Sequence, residues 1–116
     1  MPIAEFEGIL EPLGRMAGRT YIINSSLTTT AMAIGAGEKP SVISAIMKYH
    51  TTELARLIGI DAMDIHGGKA VMLGPKNYLS TAHESAPIAI TVEGANIMTR
   101  SLIIFGQGAF RCHPYV

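Results

Sequence analysis

The 116-residue chain holds one cysteine, Cys112, and no tryptophan. A single cysteine excludes a disulfide framework and fits a reducing compartment. Charge is scarce: acidic and basic residues make up 16% of the chain and cancel to a formal net charge of +0, below the usual share for a globular domain. No basic block or stripe occurs, which argues against nucleic-acid binding and against a polybasic membrane surface. No run of about 18 uncharged apolar residues is present, so no transmembrane helix is expected. The first residues lack the basic start and apolar stretch of a signal peptide. A cytoplasmic location is the expectation.

What remains is apolar. Hydrophobic residues reach 48%, with seven methionines among them, a composition suited to an adaptable aliphatic helical interior. The length allows one domain with one modest core. Either that core is large for the length, or part of the apolar surface meets something outside this chain.

Apolar side chains recur at helical spacing from residue 3 to about residue 35: Ile3, Phe6, Leu10, Leu13, Ala17, Tyr21, Ile22 and the stretch from Leu27 to Ile34. Pro12 marks a kink or a start within that run, and Gly35 and Gly37 end it. Lys39-Pro40-Ser41 opens a second helix with Ser41 as a potential cap. Over 41–66 a stripe of Ile43, Ile46, Met47, His50, Leu54, Leu57, Ile58 and Ala62 persists, with Lys48, Glu53 and Arg56 mostly off it. Gly67-Gly68 stops this helix. A loop and a short helix around Asn77 to Glu84 follow. Pro87 to Val92 reads locally as a strand, but a lone strand has no partner, so an extended or weakly helical segment is expected. A last helix runs from Gly94 to about Gln107, ended by Gly106, Gly108 and Pro114. The fold class is all-α, an up-and-down helical bundle.

One carboxylate stands out. Ile90-Thr91-Val92-Glu93-Gly94-Ala95-Asn96 places Glu93 between an apolar β-branched run and a glycine, just before a helical pattern. Loss of hydration in such a setting shifts a lone acid toward general-base strength. Taken alone, Glu93 reads first as an acid at a helix start, favourable with the macrodipole, and Gly67-Gly68 as a C-cap and turn. His66 reads as a satisfied turn histidine and His50 as a core or interface histidine. His83, His113 and Cys112 give no metal-ligand spacing, so no metal site is expected. Arg100 is expected in a structural ion pair.

Several segments, in order, resemble the C-terminal helical domain of acyl-CoA dehydrogenases, and especially the large bacterial enzymes of fatty-acid β-oxidation. Gly37-Glu38-Lys39-Pro40-Ser41-Val42 with Lys48-Tyr49-His50 is similar to that subgroup's opening of a bundle helix. Asp64-Ile65-His66-Gly67-Gly68-Lys69-Ala70 looks like the family's flavin-proximal QxxGGxG turn. Thr91-Val92-Glu93-Gly94-Ala95-Asn96, about 25 residues later, looks like the stretch with the catalytic glutamate. Ser101 to Gly108 and Arg111 to Tyr115 also resemble the bacterial subgroup. The sequence departs from the family pattern at Asp64 (usually Gln), at Ala70 (usually Gly) and at Ala95-Asn96-Ile97 (usually Thr-Ser-Gln). Contacts made through those side chains must differ, whereas backbone contacts do not depend on residue type.

The resemblance implies α,β-dehydrogenation of a fatty acyl-CoA thioester by an FAD enzyme. In it Glu93 is the base and, with Gly94, touches substrate; Asp64, Gly67, Gly68 and Asn96 lie at the cofactor. Some family members carry the base on an earlier helix, and Glu93 favours the common placement. The implied partners are fatty acyl-CoA, an electron-transfer flavoprotein or similar acceptor, and further copies of the same chain in a homo-oligomer. Complete family members add an N-terminal helical domain and a middle β-domain. Residues 1–116 are therefore expected to be part of the C-terminal domain only, inactive in isolation. An acyl-CoA oxidase fragment and a non-enzymatic, self-associating helical module are the alternatives.

Overall fold

The computed structural model describes residues 1–112. A 3-10 turn at Ile3–Glu5 leads into α1, Glu7–Gly35, whose 29 residues extend about 43 Å. Pro12 lies inside α1; it removes one N–H from the ladder and neither starts nor ends the helix. Thr29 and Thr30 turn their hydroxyls onto the carbonyls of Ser25 and Ser26, each at 2.8 Å, so these poor helix formers are satisfied locally. The helix ends in a Schellman arrangement. Gly37 takes φ 88°, its N–H donates to Ile34 and the Glu38 N–H to Ala33, both at 3.0 Å.

α2, Ser41–His66, turns back along α1. Its N-cap is Pro40, whose carbonyl accepts from the Ser44 N–H at 2.8 Å. Ser41 is thus the first helical residue and makes no side-chain cap, contrary to the expectation for it. Gly67, at φ 59°, ends α2 as the sequence predicts, in a conformation that a Cβ would oppose. A 3-10 turn over Gly67–Ala70 follows.

The next connection is organised by Asn77. Its amide donates to the carbonyls of Ala70 and Met72, and its Oδ1 accepts from the N–H groups of Leu79 and Ser80. α3 then runs Ser80–Thr91. It starts later than the sequence suggests and continues through Pro87 to Thr91, so of the extended and the weakly helical readings of that segment the helical one holds. The reason is tertiary. Ala82, Ala86 and Ala89 line a groove against Ala55 and Gly59 of α2, and small residues at i, i+4 and i+7 let the two helices approach. No strand exists among the described residues, so extended backbone there would have had no pairing partner.

After a break at 92–95 comes α4, Asn96–Cys112. It passes through Gly106 and Gly108, which do not end it; Pro114, also expected as a terminator, lies outside the described residues. α3 and α4 both run antiparallel to α2, end to end: Ile90 and Asn96 sit beside Lys48 and Thr52, and Phe110 beside Ser41. The architecture is up–down–up, with α2 as the spine and α3–α4 as one broken rod. The stretch Ser80–Gln107 has an 18-residue window of mean hydropathy 1.4. The break at 92–95 interrupts this stretch, leaving α3 with 12 residues and α4, which continues to Cys112, with 17, each short of the ~20 needed to span a bilayer.

α1 and α2 are locked by charge. Arg19 donates to Asp61 Oδ2 at 2.6 Å and Arg15 to Asp61 Oδ1 at 2.9 Å, with Glu11 also on Arg15 at 2.7 Å. Asp61 is buried. Its hydrogen bond from Arg15, with the two guanidinium charges, holds its carboxyl below the usual carboxylate range despite desolvation.

Little else is enclosed. Among the described residues only Ala62 and Ala70 are buried apolar positions, while Leu10, Tyr21, Met32, Leu102 and Phe105 are exposed. The surface area is 8484 Å², roughly 2,300 Å² above the norm for a compact chain of this mass. The radius of gyration is 18.3 Å against about 13 Å for a compact domain. The core is not large for the length: the apolar surplus faces outward.

Candidate functional site

The site is the break between α3 and α4. The α3 ladder closes with the Val92 N–H donating to Ile88 at 3.0 Å. Val92 is extended at ψ 161°, and then Glu93 at φ 54° and Gly94 at φ 89° both turn left-handed. α4 resumes when Ala95 accepts from the N–H groups of Met98 and Thr99 at 2.9 and 2.8 Å. Glu93 is the one non-glycine residue with positive φ among the described residues. A left-handed L-residue with a Cβ is strained by about 1 kcal/mol, and strain of this kind persists where the surroundings impose it. Gly94 could not be replaced cheaply: beyond its φ, an added Cβ would lie 3.0 Å from Thr99 Oγ1.

The surroundings are supplied by α2. Lys48 Nζ donates to Ile90 O at 3.0 Å, Gly94 O at 2.9 Å and Asn96 Oδ1 at 2.6 Å. Asn96 is 3% exposed, and its Nδ2 donates to Thr52 Oγ1 at 2.8 Å and Glu53 Oε1 at 3.0 Å. The amide orientation follows from its partners: oxygen toward the ammonium, nitrogen toward the carboxylate. Thr99 Oγ1 adds a second donor on Gly94 O at 3.1 Å. Asn96, which the resemblance places at the cofactor, supports the start of α4 through both ends of its amide.

Glu93 itself is exposed. The apolar, dehydrating environment expected for it is not formed among the described residues: the break turns the carboxylate outward. Beside the break lies a cleft of about 450 Å³ lined by Tyr49, Glu53, Arg56, Asn96, Ile97 and Arg100, within the range of small-molecule pockets. Arg56 is 3.7 Å from Glu53. Arg100 has no carboxylate within ion-pair distance among the described residues, so the structural ion pair expected for it is not formed there.

The second sequence-predicted group lies elsewhere. Asp64, Gly67 and Gly68 are exposed at the C-terminal end of α2, about 20 Å along the helix from the Asn96 contact on Thr52. The structure therefore unites Glu93, Gly94 and Asn96 and separates them from Asp64, Gly67 and Gly68. Nothing lies within 4 Å of a Cβ built on either glycine, so bare backbone is presented to whatever approaches. Asp64 accepts hydrogen bonds and donates none, which suits a ribose hydroxyl or an exocyclic amino group and opposes a phosphate. His66 is the satisfied turn histidine of the sequence reading. Its Nδ1 proton goes to the Ala62 carbonyl at 2.8 Å, leaving Nε2 to accept from the Tyr78 hydroxyl. His50 is exposed on α2 rather than in a core. No cluster of three or more metal-ligating side chains occurs among the described residues; His113 lies outside them.

Lys48 is the functional residue that sequence reasoning missed. The sequence puts it mostly off the apolar stripe and gives it no further role. The available signal was Lys48 with Thr52, polar residues at i and i+4 that share one face of α2.

Replacing Glu93 by Gly is expected to stabilise the chain by about 0.5–1 kcal/mol, since it releases left-handed strain and removes no hydrogen bond that the fold uses. Urea unfolding of the two proteins checks this; a lower midpoint for Glu93→Gly would mean that the carboxylate supports the fold.

Residues 1–106 match the family model "Acyl-CoA dehydrogenase, C-terminal domain". No solved structure matches the chain. The chain belongs to the acyl-CoA dehydrogenase family, in its C-terminal helical domain, and its all-α fold agrees. That family consists of oxidoreductases that act on acyl-CoA and generally bind FAD.

Proposed function

We propose that this chain is the base-bearing part of an FAD-dependent acyl-CoA dehydrogenase of fatty-acid β-oxidation. Glu93 takes the α-proton of a fatty acyl-CoA thioester. The observation that carries the reading is the strained, outward-turned glutamate held at a helix break, inside the matched region. A strained acid that the fold does not need is the pattern of a functional residue.

The α-proton passes to a carboxylate oxygen of Glu93 while the β-hydrogen leaves with its electron pair, and a double bond forms between the two carbons. Bound FAD supplies the acceptor for that hydride. As the proton leaves, negative charge grows on the thioester oxygen, and the backbone N–H of Glu93 is the donor this chain offers to it. Gly94 permits close approach of substrate to backbone. Asp64, Gly67 and Gly68 would meet the ribose or adenine part of the cofactor, and Asn96 would serve it only through the break that it fixes. Their distance from Glu93 favours service to a neighbouring subunit's flavin.

The exposed apolar faces of α1 and α4 would be covered in the full-length protein, by its other domains and by further copies of the chain in a homo-oligomer. An electron-transfer flavoprotein or similar acceptor would reoxidise the flavin, and the location would be cytoplasmic. By light scattering the isolated chain is expected to self-associate as concentration rises, because its surplus surface matches what a large obligate interface takes from one partner. A strictly monomeric species at high concentration would count against this.

Residues 1–116 alone are expected to be inactive, since they cannot enclose both flavin and substrate. Acyl-CoA-dependent dye reduction by the full-length protein, and none by this chain, is the test. Dye reduction by the isolated chain would refute the reading, and peroxide release with oxygen consumption by the full-length protein would move it to an acyl-CoA oxidase.

A further inference from the structure

We propose that Lys48 is the positioning residue for Glu93, its single ammonium holding the helix break in the arrangement that presents the carboxylate. The functional meaning of this inference rests on Glu93 being the base; its structural content does not.

Interrupting a helix leaves carbonyls without their i+4 donors, and such groups need another partner when removed from water. At this break Ile90 O and Gly94 O are answered by Lys48 Nζ. The third proton of the ammonium goes to Asn96 Oδ1. Three donors meet three acceptors drawn from the end of α3, from the break and from the start of α4, all on a half-buried lysine. A guanidinium, planar and longer, could not point three N–H groups at acceptors gathered around one atom. Asn96 completes the anchor by bonding Thr52 and Glu53, so α2 grips both sides of the break.

The alternative state is plain from the topology. α3 and α4 run in one direction along α2, and a continuous helix through 92–95 would relieve Glu93 of its left-handed φ. Removing the ammonium orphans Ile90 O and leaves Gly94 O with the Thr99 hydroxyl alone, and so shifts the balance toward the unbroken rod. In that state the carboxylate would point elsewhere.

The test is amide hydrogen exchange and backbone NMR on the chain, wild type against Lys48→Met, which keeps the side-chain stem and deletes the charge. Exchange at residues 92–96 is expected to change by on the order of tenfold or more, with the Glu93 shifts moving toward helical values. Amides around the Arg15–Asp61 contact should keep wild-type rates. Unchanged exchange and shifts at 92–96 would overturn the proposal, as would an equal change along the whole chain. If Lys48→Met unfolds the chain outright, Lys48→Gln carries the test: local change at 92–96 supports the proposal and wild-type behaviour there overturns it. Turnover of Glu93→Gln in the full-length protein separates the two readings. Retained turnover beside a perturbed break removes the base and leaves Lys48 as the holder of the break. Lost turnover beside an unperturbed break in Lys48→Met removes the Lys48 inference alone.

Discussion

Glu93→Gln in the full-length protein is expected to lower kcat by about 10²- to 10⁴-fold, the range that a positioned general base contributes, while acyl-CoA binding persists. The substitution is nearly isosteric. It keeps the backbone N–H and leaves the anchor of the break untouched, since Lys48 bonds to Ile90, Gly94 and Asn96 and not to the Glu93 side chain. What disappears is the ability to accept a proton. Exchange of the substrate α-hydrogen with deuterated solvent should vanish in parallel with turnover. Normal turnover in Glu93→Gln would sink the assignment.

The second large effect is on stability. Asp61→Asn is expected to cause one of the largest stability losses of any single polar substitution in the chain, with a clear fall in urea midpoint. Arg15 and Arg19 converge on a buried carboxylate, and a neutral amide leaves both guanidinium groups facing a partner without charge. Glu11→Gln, whose carboxylate is exposed and pairs with Arg15 alone, should have little effect. The pH dependence follows from the direction of the Asp61 shift. Its folded-state carboxyl is held below the unfolded value of 3.8, so the unfolded chain binds the proton more readily. The stabilisation is therefore complete above the unfolded value and is lost as pH falls below it toward the depressed folded value. Unfolding midpoints across that acid range should converge for wild type and Asp61→Asn. A constant gap between them down to the lowest pH would contradict the ion-pair account.

Much of this fold is written in local pattern. The stripe from Ile43 to Ala62 and the glycine at 67 set α2 at Ser41–His66. Pro87-Ile88-Ala89-Ile90-Thr91 leaves extended and helical readings both open because its β-branched residues and proline disfavour helix locally, while the alanine stripe that docks it on α2 acts only across the groove. Ser41 looks like a cap, yet Pro40 already supplies the first carbonyl. Gly106 and Gly108 look like stops, yet α4 runs through them, held along α2. At the site, Glu93 and Gly94 are legible as an acid and a glycine ahead of a helix, but not as a left-handed pair inside a broken rod. Lys48 and Asn96 are 48 residues apart, and no sequence period links them. Asp61 with Arg15 and Arg19 escapes for the same reason, because long-range charge pairing leaves no repeat to read.

The measurement closest to the central claim is anaerobic mixing of the full-length protein with a saturated fatty acyl-CoA, followed by flavin absorbance. The account predicts a yellow protein whose oxidised flavin bleaches on mixing in the wild type and stays oxidised in Glu93→Gln. A colourless protein indifferent to FAD, or bleaching undiminished by Glu93→Gln, would contradict it.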